Sequence, residues 1–116
     1  MNQKQLSIRN EKSWNAAAYE AWTNRHGAPA DYAKKIMKDP TREVAHYLPY
    51  IQSPKGKCII NLLGSKGNKA VALALLGSDV TVVDISASNA KYANELADAA
   101  DVSIHYIVSD VLDVNL

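Results

Sequence analysis

Two segments of the chain have the hydrophobic pattern of buried β-strands, a third segment is a further candidate strand, and helical patterns alternate with them. The run over 58–63 is largely apolar, the run over 79–84 is rich in β-branched residues, and 103–108 is the third candidate strand. Such runs are typical of strands covered on both faces, as in a parallel sheet. Residues 69–76 are too apolar for an exposed helix and are followed by Gly77, which is suited to end a helix. The order β-α-β predicts parallel strands joined by a right-handed crossover.

The amino-terminal part of the chain has helical periodicity, with a good helix-capping residue before each of two segments. The predicted helices cover 14–24, 31–38 and 40–48. This pattern divides the chain into a helical region, 1–52, and a β-α-β-α-β region, 53–116. We therefore expect an α/β fold: a partial Rossmann-like three-layer structure whose parallel sheet of about three strands follows two or three amino-terminal helices.

The ends of the first two predicted strands carry candidate chemistry. Gly64 and Gly67 lie in the turn after the first strand, where the lack of a Cβ lets backbone approach a ligand. Asp84 ends the second strand, where a carboxylate can accept hydrogen bonds from the two hydroxyls of a ribose. The segment from Asp84 to Ser86 also suits a helix cap. It is the combination of turn and acid that predicts an adenosine site.

Two familiar phosphate-binding motifs fit this turn poorly. A dinucleotide site needs G-x-G-x-x-G, but Gly64 is followed by the sequence SKGNK, without the second and third glycines. A P-loop needs G-x-x-x-x-G-K-[ST], and the lysines of the turn lack that context. The sequence of the turn therefore disfavours an NAD site, and it disfavours a site for ATP hydrolysis even more.

In this order, the elements resemble the class I S-adenosylmethionine-dependent methyltransferases. The shared pattern consists of an apolar strand and glycine turn over 59–67, a helix over 70–76, a strand over 77–84 that ends in an acid, and a third strand followed by Asp110. It covers about half of the chain, residues 57–114. The resemblance implies S-adenosylmethionine as the cofactor and methyl transfer to an acceptor that the sequence does not identify.

The resemblance also implies a set of cofactor contacts. The turn formed by Gly64, Ser65, Lys66 and Gly67 would pass beneath the methionine and ribose, and Asp84 would bind the ribose hydroxyls. Asp110 would meet the adenine amino group, with Ile85 and Val111 on the two faces of the ring. Helices before the first strand commonly cap the cofactor in this family, and Tyr19 is the best candidate there for a pocket residue.

The chain departs from the family pattern at four positions in this turn and in the strand before it. Asn61 stands where the family usually has an acid, which weakens one acceptor for the amino group of the cofactor. Leu63 and Ser65 replace glycines, and Lys66 adds a cation close to the expected sulfonium. A module that keeps the fold but has lost cofactor binding is therefore an alternative, and a fragment of an NAD-dependent oxidoreductase is a weaker one.

Class I methyltransferases generally have seven strands, and only three are predicted here. We therefore expect a fragment of a longer enzyme that is inactive alone, with no catalytic residue assigned. An open edge of a parallel sheet invites pairing with another chain, so we also expect a homodimer.

Charge and residue usage narrow the function classes. Residues 1–57 hold ten lysines and arginines against five acids, whereas 58–116 hold three against seven. The basic residues fall where a solvated helix face would place them, which disfavours a nucleic-acid site.

Cys58 is the only cysteine, and its place at a strand start predicts a buried thiol. The three histidines are scattered, so no metal site is expected. No leader-like segment and no apolar run of ~18 residues occurs, so we expect a cytoplasmic protein with no membrane partner.

Overall fold

The computed structural model describes residues 17–62 and 64–110, which form three parallel strands and six helices. The strands lie side by side in the order in which they occur in the chain: β1 (Cys58–Leu62), β2 (Asp79–Asp84) and β3 (His105–Val108). The helices are α1 (17–26), α2 (Pro29–Lys38), α3 (Pro40–Glu43), α4 (Leu48–Ile51), α5 (Asn68–Leu75) and α6 (Ala87–Ala99). The predicted α/β class, with a Rossmann-like parallel sheet, is confirmed.

The boundaries of most elements agree with the sequence pattern. The second strand has the predicted bounds, the third begins two residues later, and Leu63 of the first lies outside the described residues. Residues 14–16 of the first predicted helix also lie outside them.

The prediction of one helix over 40–48 is wrong, because α3 and α4 are separated by a turn. α3 ends where Val44 takes a non-helical φ of −119°, with its side chain fully buried. Pro49 then lies in the first turn of α4, a position at which its missing N–H is not needed. Asp39 does cap α3 as predicted, since its carboxylate accepts the backbone N–H of Arg42 at 3.3 Å.

The core lies on one face of the sheet. Val80 and Val82 of β2 are fully buried there and pack with side chains of α2, α5 and α6. The strands follow one another in a single direction, so right-handed crossovers place α5 and α6 on the same side. α2 packs against both of these helices. The core therefore fixes the turn before α5 and the turn before α6 next to each other at the carboxyl edge of the sheet.

The opposite face of β1 is uncovered. Alternate residues of this strand, Cys58, Ile60 and Leu62, are exposed, and Ile60 keeps 52% of its surface accessible. The prediction of a buried Cys58 is wrong, and so is the prediction that the first strand is covered on both faces. β1 is an edge strand of the described sheet. β2 agrees better with the prediction of a strand covered on both faces, because Val83, on the same face of the sheet as Leu62, is fully buried.

The turn before α5 depends on a glycine that no other residue replaces without cost. Gly67 has a φ of +80°, and a Cβ there would lie 2.5 Å from Cβ of Ala93. Gly56 has a similar φ of +77° but open space around it.

We expect Gly56→Ala to lower the free energy of unfolding by about 1 kcal/mol through backbone strain alone. Gly67→Ala should cost about 3 kcal/mol, because steric overlap adds to that strain. Urea denaturation of both variants measures the difference, and equal losses would contradict the close approach of α5 and α6.

Candidate functional site

The carboxylate of Asp84, at the end of β2, joins two turns of the chain. Its side chain is only 7% exposed. Oδ2 accepts the backbone N–H of Ser65 at 3.0 Å, and Oδ1 accepts the backbone N–H of Ser86, also at 3.0 Å. Asn89 adds a longer contact, with Nδ2 3.5 Å from Oδ1. A carboxylate has about four acceptor positions. Contacts with residues of 17–62 and 64–110 account for three of them, and no described residue takes the fourth, on Oδ2.

The segment from Asp84 to Ser86 is a helix-capping segment as well. The bond from Asp84 to the N–H two residues later closes an Asx turn. Oγ of Ser86 then accepts the N–H of Asn89 at 3.1 Å and caps α6. The carboxylate therefore has a demonstrated structural role, to which ligand binding would be added.

The glycine turn lies against β2 more closely than any side chain would allow. A Cβ on Gly64 would lie 2.1 Å from Cγ1 of Val82. Ser65 takes the left-handed region with a φ of +54°, which non-glycine residues adopt only when the surroundings hold them there. Its N–H is held by Asp84, and its carbonyl accepts the hydroxyl of Tyr106 at 2.7 Å. Burial raises the pKa of Tyr106, with the charge of Asp84 as a second cause, so the hydroxyl stays a donor.

Helix α1 is attached to this turn by Trp22. Its indole N–H donates to Oδ1 of Asn89 at 2.8 Å. Nζ of Lys66, in the glycine turn, lies 4.9 Å from the centre of the indole ring. These contacts connect α1 to the turn and to the start of α6. Asn89 and Tyr106 were not predicted as site residues; the hydrogen bond between Trp22 and Asn89 spans 67 residues, beyond the reach of any local pattern.

The structure brings most of the predicted site residues together. The turn and the end of β2 converge at one edge of the sheet, and this group consists of Asn61, Gly64, Ser65, Lys66, Gly67, Asp84 and Ile85. Ile85 is 51% exposed beside Asp84. Asp110 is exposed just beyond β3, and its neighbour Ser109 donates its N–H to the carbonyl of Asp84 at 2.9 Å. Val111 lies outside the described residues.

Tyr19 does not join this group. Its hydroxyl donates to Oε2 of Glu95 at 2.5 Å, and its ring meets that of Tyr92 edge-on at 5.6 Å. The bond to Glu95 is the main cause that raises the pKa of Tyr19. Glu95 lies nine residues beyond Ser86, which is about 13 Å along the helix. Tyr19 therefore helps to dock α1 onto the middle of α6.

Residues 17–62 and 64–110 contain neither a metal-binding cluster nor a membrane-spanning helix. No group of three or more His, Cys, Asp or Glu side chains there is arranged to hold a metal ion. Among the helices of that part, none is both long enough and apolar enough to cross a membrane.

Comparison with known proteins gives matches at the level of structure alone. No protein-family model matches the sequence, and no curated protein matches it either. Magnesium protoporphyrin IX methyltransferase (ChlM) from Synechocystis PCC 6803 with bound SAH matches with a TM-score of 0.68 and 14% identity, over 93% of this chain and 53% of that one. The same enzyme with bound SAM matches with a TM-score of 0.68 and 15% identity, over 99% of this chain and 58% of that one.

A third similar structure comes from work on the conversion of a disulfide bond into a thioacetal group during echinomycin biosynthesis. Its TM-score is 0.58 at 21% identity, over 89% of this chain and 40% of that one. The chain thus spans about half the length of the structures that it matches. At these identities, the likeness establishes that the chain has the α/β fold of part of these proteins.

His26, at the end of α1, is expected to make stability depend on pH. Its Nε2 is buried without a hydrogen-bond partner, and its ring lies 4.6 Å from that of Tyr32. Burial lowers the pKa of His26; the charges of Lys66 and Arg25 lower it further, against a smaller opposing effect of Glu43. The stability gained from the neutral ring is therefore present above the unfolded pKa of about 6.5 and is lost as the pH falls through the lower folded value.

We expect the melting temperature of the protein to fall between pH 7.5 and 5, and to fall less in His26→Phe, which keeps a ring against Tyr32. His46→Phe, at an exposed position, is the matched control. Thermal melts followed by circular dichroism measure the slopes. Equal slopes in the wild type and His26→Phe would contradict the assignment.

Proposed function

We propose that this chain binds S-adenosylmethionine at the carboxyl ends of β1 and β2, as the cofactor-binding part of a methyltransferase. The observation that carries the proposal is the buried carboxylate of Asp84, which is held by the backbone of a glycine turn and has one acceptor position that no described residue fills. Two of the structures that share the fold contain SAH and SAM. The order of strand, turn, helix and acid supports the same ligand over NAD.

In this proposal, each part of the cofactor has a place on the edge of the sheet. The ribose hydroxyls donate to Asp84, and the turn from Gly64 to Gly67 passes beneath the methionine and ribose. The half-exposed Ile85 packs on the adenine ring, and Asp110 accepts from the adenine amino group; Val111 is assigned to the opposite face of the ring. α1, attached through Trp22, belongs to the cap over the cofactor.

Methyl transfer needs mainly that donor and acceptor be held in line. The methyl group leaves the sulfonium, which becomes a neutral thioether, and the acceptor atom gives up a proton when it carries one. No residue of this chain is assigned as a general base. The similar structures are about twice as long as the part that this chain matches, so activity and acceptor belong to the proposal for a whole enzyme.

We expect S-adenosylhomocysteine to bind saturably, and Asp84→Ala to weaken binding at least tenfold, or about 1.4 kcal/mol. Asp79→Ala is the matched control, because Asp79 is an exposed acid at the other end of the same strand. Asp84→Ala also frees two backbone donors, at about 1–3 kcal/mol each, so thermal melts must show that the variant is folded. Ile85→Asp tests the same site from a half-exposed position. Isothermal titration calorimetry gives the affinities.

The two alternatives appear as distinct outcomes of this titration. A folded wild-type chain that binds neither S-adenosylhomocysteine nor NAD would contradict the proposal and favour a non-catalytic module that has lost cofactor binding. Binding of NAD in preference to S-adenosylhomocysteine would favour an oxidoreductase fragment. Equal affinity in the wild type, Asp84→Ala and Ile85→Asp would place the ligand elsewhere.

We also propose that two copies of the chain associate through the open edge of β1. The exposed Ile60 and Leu62 support this, together with an adjoining groove of about 310 Å³ whose lining includes Ile51 and Leu73. A row of unpaired backbone groups beside apolar side chains favours pairing with another strand.

We expect sedimentation equilibrium to show a dimer that Ile60→Lys converts to monomer. Val108→Lys, at a half-exposed position on the opposite edge strand, should leave the dimer intact. A wild-type chain that remains monomeric at high concentration would contradict the association, and so would equal effects of the two variants.

A further inference from the structure

A polar cavity of about 290 Å³ lies against the glycine turn. Two lysines, two asparagines and a tyrosine hydroxyl face it, and no described residue of its lining carries a carboxylate. The lining consists of Tyr47, Asn61, Leu62, Gly64, Ser65, Lys66, Asn68 and Lys69. The two ammonium groups make the cavity positively charged at neutral pH.

Lys66 is the more strongly confined of the two cations. It is half-buried, and the ion pairs between described residues do not include it. Its Nζ is held 4.9 Å from the centre of the Trp22 ring, which fixes the charge at the turn. Burial lowers the pKa of Lys66 and the charge of Arg25 lowers it further, against an opposing effect of Glu43. An ammonium withdrawn from water without an anion is unfavourable, and a bound anion would offset that cost.

Glu43 compensates this charge only in part, and the described lining of the cavity supplies no carboxylate. Glu43, the acid that acts on Lys66, is bonded through Oε2 to Nδ2 of Asn68 at 2.9 Å. Lys69 contacts the hydroxyl of Tyr47 at 2.9 Å and stays exposed. Asn61, next to Gly64, is neutral. The cavity is therefore built for a negatively charged group rather than for an amine.

We propose that this cavity binds a carboxylate, with Nζ of Lys66 as its counter-ion. The inference rests on the proposed function, because the turn that carries Lys66 would lie under the methionine part of the cofactor. Two molecules are candidates to supply this carboxylate. One is the cofactor itself, through its amino acid end, and the other is an acidic methyl acceptor bound beside it. In either case, the anion also screens the sulfonium from the ammonium of Lys66.

The first arm compares S-adenosylhomocysteine with its decarboxylated analogue, which keeps the amino group and the sulfur. We expect the wild type to prefer S-adenosylhomocysteine about tenfold, the effect of one hydrogen bond between charged groups. Lys66→Met keeps an unbranched side chain over Trp22, and should bind the two ligands with nearly equal affinity. Lys66→Arg should restore the preference. Lys91→Met is the matched control, because Nζ of Lys91 lies 4.8 Å from the centre of the Tyr19 ring, outside the cavity.

The second arm tests the other source with succinate as a probe. Succinate is added to the protein alone and to the protein saturated with the decarboxylated analogue, and the indole N–H resonance of Trp22 is followed by NMR. A saturable shift in the wild type that is lost in Lys66→Met supports the carboxylate site. A shift with succinate, but no preference in the first arm, assigns the site to an acceptor.

The outcomes separate this inference from the proposed function. Binding of S-adenosylhomocysteine without any preference, together with no response to succinate, would overturn the carboxylate site and leave the cofactor site standing. No binding of either adenosyl ligand would overturn the proposed function, and the succinate titration of the free protein would then decide on the carboxylate site alone. An equal loss of preference in Lys91→Met would also overturn it.

Discussion

The hydrogen bond from the N–H of Ser65 to Asp84 is the interaction on which the rest of the site depends. It ties the turn after β1 to the end of β2, and the other oxygen of the same carboxylate ties β2 to the start of α6. The turn after β1 thus meets the end of β2 and the start of α6, 19 residues further along the chain, at one group that is only 7% exposed. A buried carboxylate without partners would be costly, so these bonds also stabilise the burial of the charge.

Close packing makes that hydrogen bond possible. Gly64 lets the turn lie directly on Val82, and Gly67 lets α5 approach Ala93 of α6. Ser65 is then held in a left-handed conformation by Asp84 on its N–H and by Tyr106 on its carbonyl. Trp22 completes the arrangement from the other side, since it contacts both Lys66 of the turn and Asn89 of α6. Any ligand at this edge meets a surface that is already formed.

The sequence predicts where the strands and turns lie better than it predicts which other parts of the chain pack against them. The β-branched run over 79–84 defines β2 because Val80 and Val82 lie fully buried on the core face and Val83 is buried on the other, and the glycines define the turn because no other residue fits there. The same reasoning fails at Cys58, since an apolar run shows what a strand would bury but not whether anything covers it. It fails over 40–48 because Val44 is buried in the core in a non-helical conformation, which breaks the helix. The bond between Trp22 and Asn89 depends on the tertiary packing of α1 on α6, which has no local signature.

The most direct test of the proposed cofactor site is an NMR titration of the ¹⁵N-labelled chain with S-adenosylhomocysteine. The backbone amides of Ser65 and Ser86 both donate to Asp84, so a ribose bound to that carboxylate must change their environment. The account predicts that these two resonances shift saturably and together, while the amide of Asp79, at the opposite end of β2, does not. Shifts confined to other parts of the chain, or none at all, would contradict a cofactor site at the end of β2.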